Sequence, residues 1–399
     1  MISNEEYIKK NKDADVRSLA LKPTPEGVDA IWCLRQIEGY QLARKKLPQW
    51  ADKEGIWFPP RLSMEQCSSE ATARYKAEVA ARLCSSITSG ATSLIDLTGG
   101  FGVDFSYMAP QFGKAIYVEQ QEVLCDAARH NFPLLGLGNA EIINAQSDED
   151  FSLSNLHYSL IFLDPARRDD IGRKVFAIED CTPDITALQD DLLKNADYVM
   201  VKLSPMLDIT QALRSLHCVR EVHVVSVKGE CKELLFVMSN EASTEPLSYH
   251  CVNLDTQDEP FVTQGSQQTT EYAMPEKDML LFEPNASIMK AGVQDAFAAH
   301  YSLSKLHPMS NLFTKKNDVD VPEGIPARAF RITHIYDFSK QSLKQLHNET
   351  KQANLTVRNF PSTVADLRKR LKLKEGGSIY IFATTLNNNS HALIECKKF

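Results

Sequence analysis

The sequence predicts an α/β protein: a doubly wound sheet that ends in an antiparallel hairpin, with a helical region before it and small α+β domains after it. Three observations carry this expectation. The short apolar runs SLIDL (93–97), AIYVE (115–119), EIIN (141–144), SLIFLD (159–164) and YVMVKLS (198–204) alternate with helix-compatible or polar segments, the pattern of parallel strands joined by crossover helices. The runs are continuously apolar, as strands buried on both faces are. VREVHVVSV (219–227) and ELLFVMS (233–239) are separated only by residues 228–232. Five residues cannot hold a crossover helix, so these two strands are expected to be antiparallel neighbours.

The elements follow in chain order. Residues 1–90 read as a helical region. Within it Cys67, Ala71, Tyr75, Val79, Leu83 and Ile87 recur every fourth residue, which predicts one helix over 63–87 with Ser63 and Gln66 at capping-box spacing. Residues 91–245 carry the sheet. Residues 246–276, containing GSQQTTEYAMPEKD, read as a polar, irregular linker. Residues 277–325 and 326–399 read as two small α+β domains. LLFEP precedes a helix near 286–301, and ARAFRITHIYDF is a strand. SKQSLKQLHNETK and STVADLRKRLKL are helices, and SIYIFATTL and ALIECKK are closing strands.

Composition narrows the function. Of 399 residues 43% are hydrophobic and 24% charged, an ordinary globular balance that excludes global disorder. No apolar run approaches the ~18 residues of a membrane span, and the opening MISNEEYIKKNKDADVRS carries charges where a secretion signal has an apolar core. A cytoplasmic protein without a membrane partner is expected. Nine cysteines without a CxxC pair, and histidines without ligand spacing, suggest core thiols and no metal site. Net charge is −8, yet residues 340–399 hold 11 basic and 4 acidic groups. A basic C-terminal module on an acidic body suits a polyanionic partner.

The chemistry gathers at the ends of the first four strands. Asp96, Leu97, Thr98, Gly99, Gly100, Phe101 and Gly102 follow the first strand and open a helix near Val103. Glycines there let the backbone turn and approach a ligand, and the helix start offers free N–H groups. Asp104, in the first helical turn, reads as an acid favoured by the helix dipole. Glu119 ends the second strand, where an acid accepts both ribose hydroxyls of an adenosine; NAD enzymes use the same device, so the pair fits either cofactor. Asp148 follows the third strand, placed for an adenine amino group or as a solvated loop acid. The fourth strand runs into Asp164-Pro165-Ala166-Arg167-Arg168-Asp169, which brings Asp164 to the crevice of Asp96 and Glu119. Asp-Pro there resembles the loop with which amino-methylating enzymes hold a target nitrogen. Ala166 and Arg167 stand where that loop has a second proline and an aromatic, so stacking would fall to Arg167, which also suits a phosphate or a salt bridge. No cysteine lies in the loop, which favours nitrogen or oxygen over carbon as the acceptor. Lys202, ending the fifth strand, could line the substrate crevice but reads first as a lysine reaching solvent, and Trp32, Trp50 and Trp57 read as core anchors.

A parallel sheet closing in an antiparallel hairpin is the architecture of class I S-adenosylmethionine-dependent methyltransferases. DLTGGFGVD, DPARRD, the preceding EQCSSEATARYKA, and the later LFEPNASIMKAG, VRNFP and LRKRLKLKEGGSIYIFAT resemble a bacterial family of such enzymes with a THUMP-like C-terminal domain, over residues 55–399. The resemblance implies a ferredoxin-like domain at 277–325 and a THUMP-like domain at 326–399. It also implies S-adenosylmethionine at Asp96, Thr98, Gly99, Gly100, Gly102, Glu119 and Asp148, and a catalytic loop headed by Asp164 with Arg167. THUMP domains bind structured RNA, which makes tRNA or rRNA the expected partner and Arg358, Arg368, Lys369, Arg370, Lys372 and Lys374 the expected contacts. Thr98 replaces the first glycine of the commoner loop. An NAD-dependent oxidoreductase is the rival reading of the strand-end acids, and an RNA-binding protein with a decayed cofactor site is the second.

Overall fold

Five strands of the first sheet are parallel, and all but the half-exposed β3 are largely buried: β1 (Ser93–Asp96), β2 (Lys114–Glu119), β3 (Ala140–Asn144), β4 (Tyr158–Leu163) and β5 (Ala196–Leu203). β1 pairs in parallel with β2 and β4, β2 with β3, and β4 with β5. β6 (Val219–Val227) and β7 (Glu230–Met238) come next in this nine-stranded sheet, in the order β3-β2-β1-β4-β5-β7-β6, with β7 antiparallel to β5. The expected hairpin is present with a tighter turn than five residues. Only Lys228 and Gly229 separate the strands, both at positive φ (+54° and +73°), the geometry whose twist matches that of the flanking strands.

The computed structural model describes residues 2–85, 87, 92–147, 156–166, 178–179, 181–241, 245–265, 271–315, 321 and 323–399. These fall into two compact units, residues 1–221 with 234–245, and residues 222–233 with 246–399.

In the first unit the N-terminal helices share the core of the sheet. Ala77, Ala80 and Leu83 of helix Glu70–Cys84 pack with Leu94, Phe105, Tyr117, Phe132 and Phe162. The single helix expected over 63–87 is two helices, Arg61–Gln66 and Glu70–Cys84. Cys67 is extended (ψ 159°), and the Ser69 hydroxyl accepts the Thr72 N–H at 3.3 Å and caps the second helix. Serines prefer to bond nearby backbone rather than sit inside a helix, so the Ser68–Ser69 pair outweighs a periodicity that runs through both pieces.

In the second unit, residues 246–276 are less irregular than expected. They hold β8 (Ser248–Asn253) and β9 (Phe261–Thr263), antiparallel to each other. Cys251 and Phe261 are buried with Phe282, Phe297 and Phe313, so a pair of inward residues decides the segment despite its polar composition. The second sheet takes the order β11-β12-β10-β13-β16-β15-β14. Its strands are β10 (Leu280–Pro284), β11 (Ser304–His307), β12 (Ser310–Lys315), β13 (Ala327–Asp337), β14 (Asn354–Arg358), β15 (Ile379–Thr385) and β16 (His391–Lys398). The helix expected near 286–301 is broken at Gly292, at φ +74°, into Ala286–Ala291 and Gln294–His300. Helices Lys340–Glu349 and Val364–Leu371 cover the β14 side through Leu343, Leu346, Leu367 and Leu371. Among the described residues no helix is long and apolar enough to cross a membrane.

Candidate active site

In the first sheet the strand order reverses between β1 and β4. Loops leaving the carboxyl ends of such strands diverge there and open a crevice. The β1 loop is shaped by backbone contacts. Asp96 Oδ1 accepts the Thr98 N–H at 3.0 Å, Gly99 N–H donates to Val118 O at 2.8 Å, and Gly102 N–H donates to Gly99 O at 2.8 Å. Two glycines are required. A Cβ on Gly99 would lie 2.2 Å from the Tyr117 ring, and Gly102 stands at φ +81° with Phe132 closing on it. The Tyr117 hydroxyl donates to Gly100 O. Glu119 is held in turn: its carboxylate accepts Gly100 N–H at 2.9 Å and Gln121 N–H at 2.8 Å.

Thr98 explains its own departure from glycine. Its hydroxyl oxygen accepts the backbone N–H of Asp164 at 2.6 Å, so the β1 loop holds the head of the β4 loop. Two bonds between Ala166 and Thr182, at 2.8 and 3.0 Å, anchor the next turn. Asp164 is thereby fixed at its backbone on both sides, with its side chain 38% exposed. Arg167 and Asp148 lie outside the described residues.

Lys202 does not reach solvent. Its side chain is 12% exposed, and Nζ bonds Asp164 Oδ2 and lies 3.8 Å from Asp104 Oδ2. Asp104 stands in the first turn of its helix, as expected, and is in addition buried and paired. It accepts from Ser68 Oγ at 2.7 Å and faces Lys76 Nζ at 3.2 Å, on a lysine with no exposed side-chain surface. Adjacent parallel strands end side by side, so a lysine closing β5 lands beside an aspartate after β4, whatever its hydrophilicity suggests. A sequence signal for Lys76 existed: it sits among Thr72, Ala73, Val79, Ala80 and Leu83 on the buried face of its helix, where a charge needs a partner.

Electrostatics separates the acids. Burial pushes the Asp96 carboxyl well above the ordinary range, and the charges of Asp104, Asp164 and Glu119 add to that push against the Thr98 N–H. For Asp104 burial acts in the same direction, but Lys76, Lys202 and Ser68 together outweigh it and hold the carboxyl below its ordinary value. A cavity of about 50 Å³ runs between these groups, with Cys67, Ser68, Asp96, Gly100, Asp104 and Asp164 on its wall. A larger groove, about 680 Å³, lies along Trp50, Arg74, Tyr107 and Leu135, away from the strand-end acids.

In the second unit the expected contacts divide. Arg358 pairs with the buried Glu283 at 2.6 Å, and Arg368, 22% exposed, points to Ala353 O at 3.4 Å and Glu375 at 4.0 Å. Both serve the packing of their own unit. Lys369, Arg370, Lys372 and Lys374 are exposed on and just after helix Val364–Leu371, with Arg370 lying 4.5 Å from the centre of the Phe338 ring.

Comparison with known proteins bears on this geometry. Residues 327–398 match the THUMP domain-like family, and residues 280–322 match a ferredoxin-like domain family. The whole chain, at 99% coverage, superposes on 97% of a candidate methyltransferase from Porphyromonas gingivalis W83 with a TM-score of 0.86 and 33% identity. The chain belongs to the family of class I methyltransferases with a THUMP-like C-terminal domain. A candidate class I S-adenosylmethionine-dependent methyltransferase from Listeria monocytogenes is similar over 62% of this chain and 92% of its own, at a TM-score of 0.37 and 9% identity, a likeness too loose to bear on the site. No curated protein matches the sequence.

Proposed function

We propose that this methyltransferase uses S-adenosylmethionine to methylate a base nitrogen of RNA, tRNA or rRNA. One observation carries the reading: Asp164, on a loop locked by Thr98, lines the same cavity as Asp96, against the glycine loop that Glu119 holds through Gly100 N–H. The residues suit the cofactor. Burial raises Asp96, and the charges of the neighbouring carboxylates add to that rise, an arrangement relieved by a cationic ligand. Asp96 would hold its ammonium or sulfonium end, Gly99, Gly100 and Gly102 would let its amino-acid part approach the backbone, and Glu119 would take the ribose hydroxyls. S-adenosylmethionine, when bound, supplies a methyl group already activated on sulfur. What this chain adds is position: Asp164 accepts a hydrogen bond from the target nitrogen and fixes the direction of its lone pair, which is where proximity catalysis acts.

The RNA part of the proposal rests on the THUMP-like region and on the exposed Lys369, Arg370, Lys372 and Lys374. The proposed division of labour follows the domains expected from sequence, with residues 91–245 holding the donor and residues 326–399 the polyanion. Calorimetry tests the cofactor: S-adenosylmethionine binds and NAD does not. Asp164→Asn keeps donor binding and loses methyl transfer to total RNA. An Asp164→Asn enzyme with undiminished transfer would remove that residue from the mechanism.

A further inference from the structure

Lys202 changes what the crevice asks of its acceptor. Side by side at the ends of β4 and β5 stand one carboxylate and one ammonium, bonded through Asp164 Oδ2. The pair is braced from behind. Lys202 also lies 3.8 Å from Asp104, and Asp104 has its own buried partner, Lys76, at 3.2 Å, with Ser68 bonding both Asp104 at 2.7 Å and Lys76 at 3.2 Å. Two lysines and two aspartates balance in charge. Lys202 bonds Asp164, and an ammonium with its three N–H groups can share one with a ligand docked against that pair.

We infer that the acceptor is a lactam edge, a ring N–H beside a carbonyl as in guanine or uracil, with Asp164 accepting the N–H and Lys202 donating to the carbonyl oxygen. The inference rests on the proposed reading of the site as a nucleobase methyltransferase, and names its substrate class. Three acceptor types compete, and the charges discriminate among them. An exocyclic amine becomes cationic as it gains a methyl group, so a neighbouring ammonium opposes it. A hydroxyl offers a single atom and does not use a donor and an acceptor placed side by side. A lactam N–H offers both partners on adjacent atoms. It is also the acceptor that needs them, because its nitrogen pair is delocalised until the proton leaves, and the negative charge then spreads onto the carbonyl oxygen. A fixed cation there stabilises charge that develops only in the transition state. In the transfer step the ring N–H proton passes to Asp164, and the freed nitrogen pair forms the N–CH3 bond. The donor S–CH3 bond breaks with its electrons left on sulfur, which departs as a neutral thioether, and Asp164 gives the proton to water.

The test has a binding arm and a product arm. The full chain, loaded with S-adenosylhomocysteine so that the adenosine pocket is filled, is titrated with GMP, UMP, AMP and CMP by ligand-observed saturation-transfer NMR. GMP or UMP is expected to bind about tenfold more tightly than AMP or CMP, since a site built to hydrogen-bond one edge rejects an edge with the reversed pattern. Lys202→Met is expected to erase that preference and Lys202→Arg to keep part of it, with S-adenosylhomocysteine affinity showing that each variant is folded. In the product arm, methyl-deuterated S-adenosylmethionine is incubated with total RNA from a strain lacking the gene, and the nucleosides are weighed by mass spectrometry. Label on N1 of guanosine or N3 of uridine supports the inference. Label on an exocyclic amine, on guanosine N7 or on the ribose overturns it while sustaining RNA as substrate. No label in RNA together with a GMP or UMP preference that needs Lys202 overturns the RNA reading and sustains the lactam; no label and no preference overturns both.

Discussion

Asp96 and Asp104 are eight residues apart, both buried, and displaced in opposite directions. The difference is in their partners: Asp104 faces two lysines and a serine hydroxyl, whereas Asp96 faces a backbone N–H and three other acids. The raised Asp96 group makes the ligand-free fold bind a proton that the unfolded chain releases. Its contribution is complete below the ordinary carboxyl range and is lost as pH climbs through the higher folded value. Asp96→Asn is therefore expected to flatten the decline in melting temperature of the ligand-free protein as pH rises above the ordinary carboxyl range. The same change should weaken S-adenosylmethionine binding by about 1.5–3 kcal/mol by calorimetry, the usual worth of a hydrogen bond to a charged group. Asp104→Asn acts the other way. It removes the charge that faces Lys76 at 3.2 Å, on a lysine with no exposed side-chain surface. A loss of about 3–5 kcal/mol in urea unfolding of the first unit is expected, and a loss under 1 kcal/mol would show that Lys76 is answered elsewhere.

At the scale of an element, the β1 loop is a tight fit of backbone to ring. Gly99→Ala would put a methyl group 2.2 Å from the buried Tyr117 ring, whose hydroxyl is tied to Gly100, so the ring cannot swing aside without releasing the loop. The expected cost is about 1–3 kcal/mol, as for other overpacked cores, with donor binding falling in parallel; thermal melts with and without donor measure both. Thr98→Val removes only the oxygen that accepts Asp164 N–H at 2.6 Å. It should lower kcat while changing donor affinity little, because it frees the catalytic loop and leaves the glycines in place. Ser69→Ala should cost about 1 kcal/mol, the worth of an N-cap, and would confirm that two helices rather than one precede the sheet.

For the molecule as a whole, the proposed RNA reading, with an acidic body and a basic terminal module, predicts that association is governed by a few exposed cations. Replacing Lys369, Arg370, Lys372 and Lys374 with Gln should flatten the dependence of log affinity on log salt by about 0.7–0.9 for each phosphate that the variant no longer neutralises. Arg358→Gln should act mainly on stability, because its partner Glu283 is buried. Filter binding across a salt series separates the two sets. An unchanged slope in the fourfold variant would move the RNA surface elsewhere on the chain.

The sheet, its closing hairpin and the acids at three strand ends were legible in the sequence. Continuous apolar runs have one stable use, and a gap of a few residues between two strands leaves no room for a crossover. The positions of Asp96, Glu119 and Asp164 followed from the rule that a parallel sheet gathers its carboxyl ends along one edge. Hydrophilicity misplaced Lys202, whose burial depends on which charge stands opposite, and gave no sign of the ion pair of Arg358, whose partner Glu283 lies far along the chain. Sequence determined which groups could meet at the crevice. Only the tertiary structure decided which of them had already paired with each other, because a buried charge is set by neighbours that chain order does not reveal.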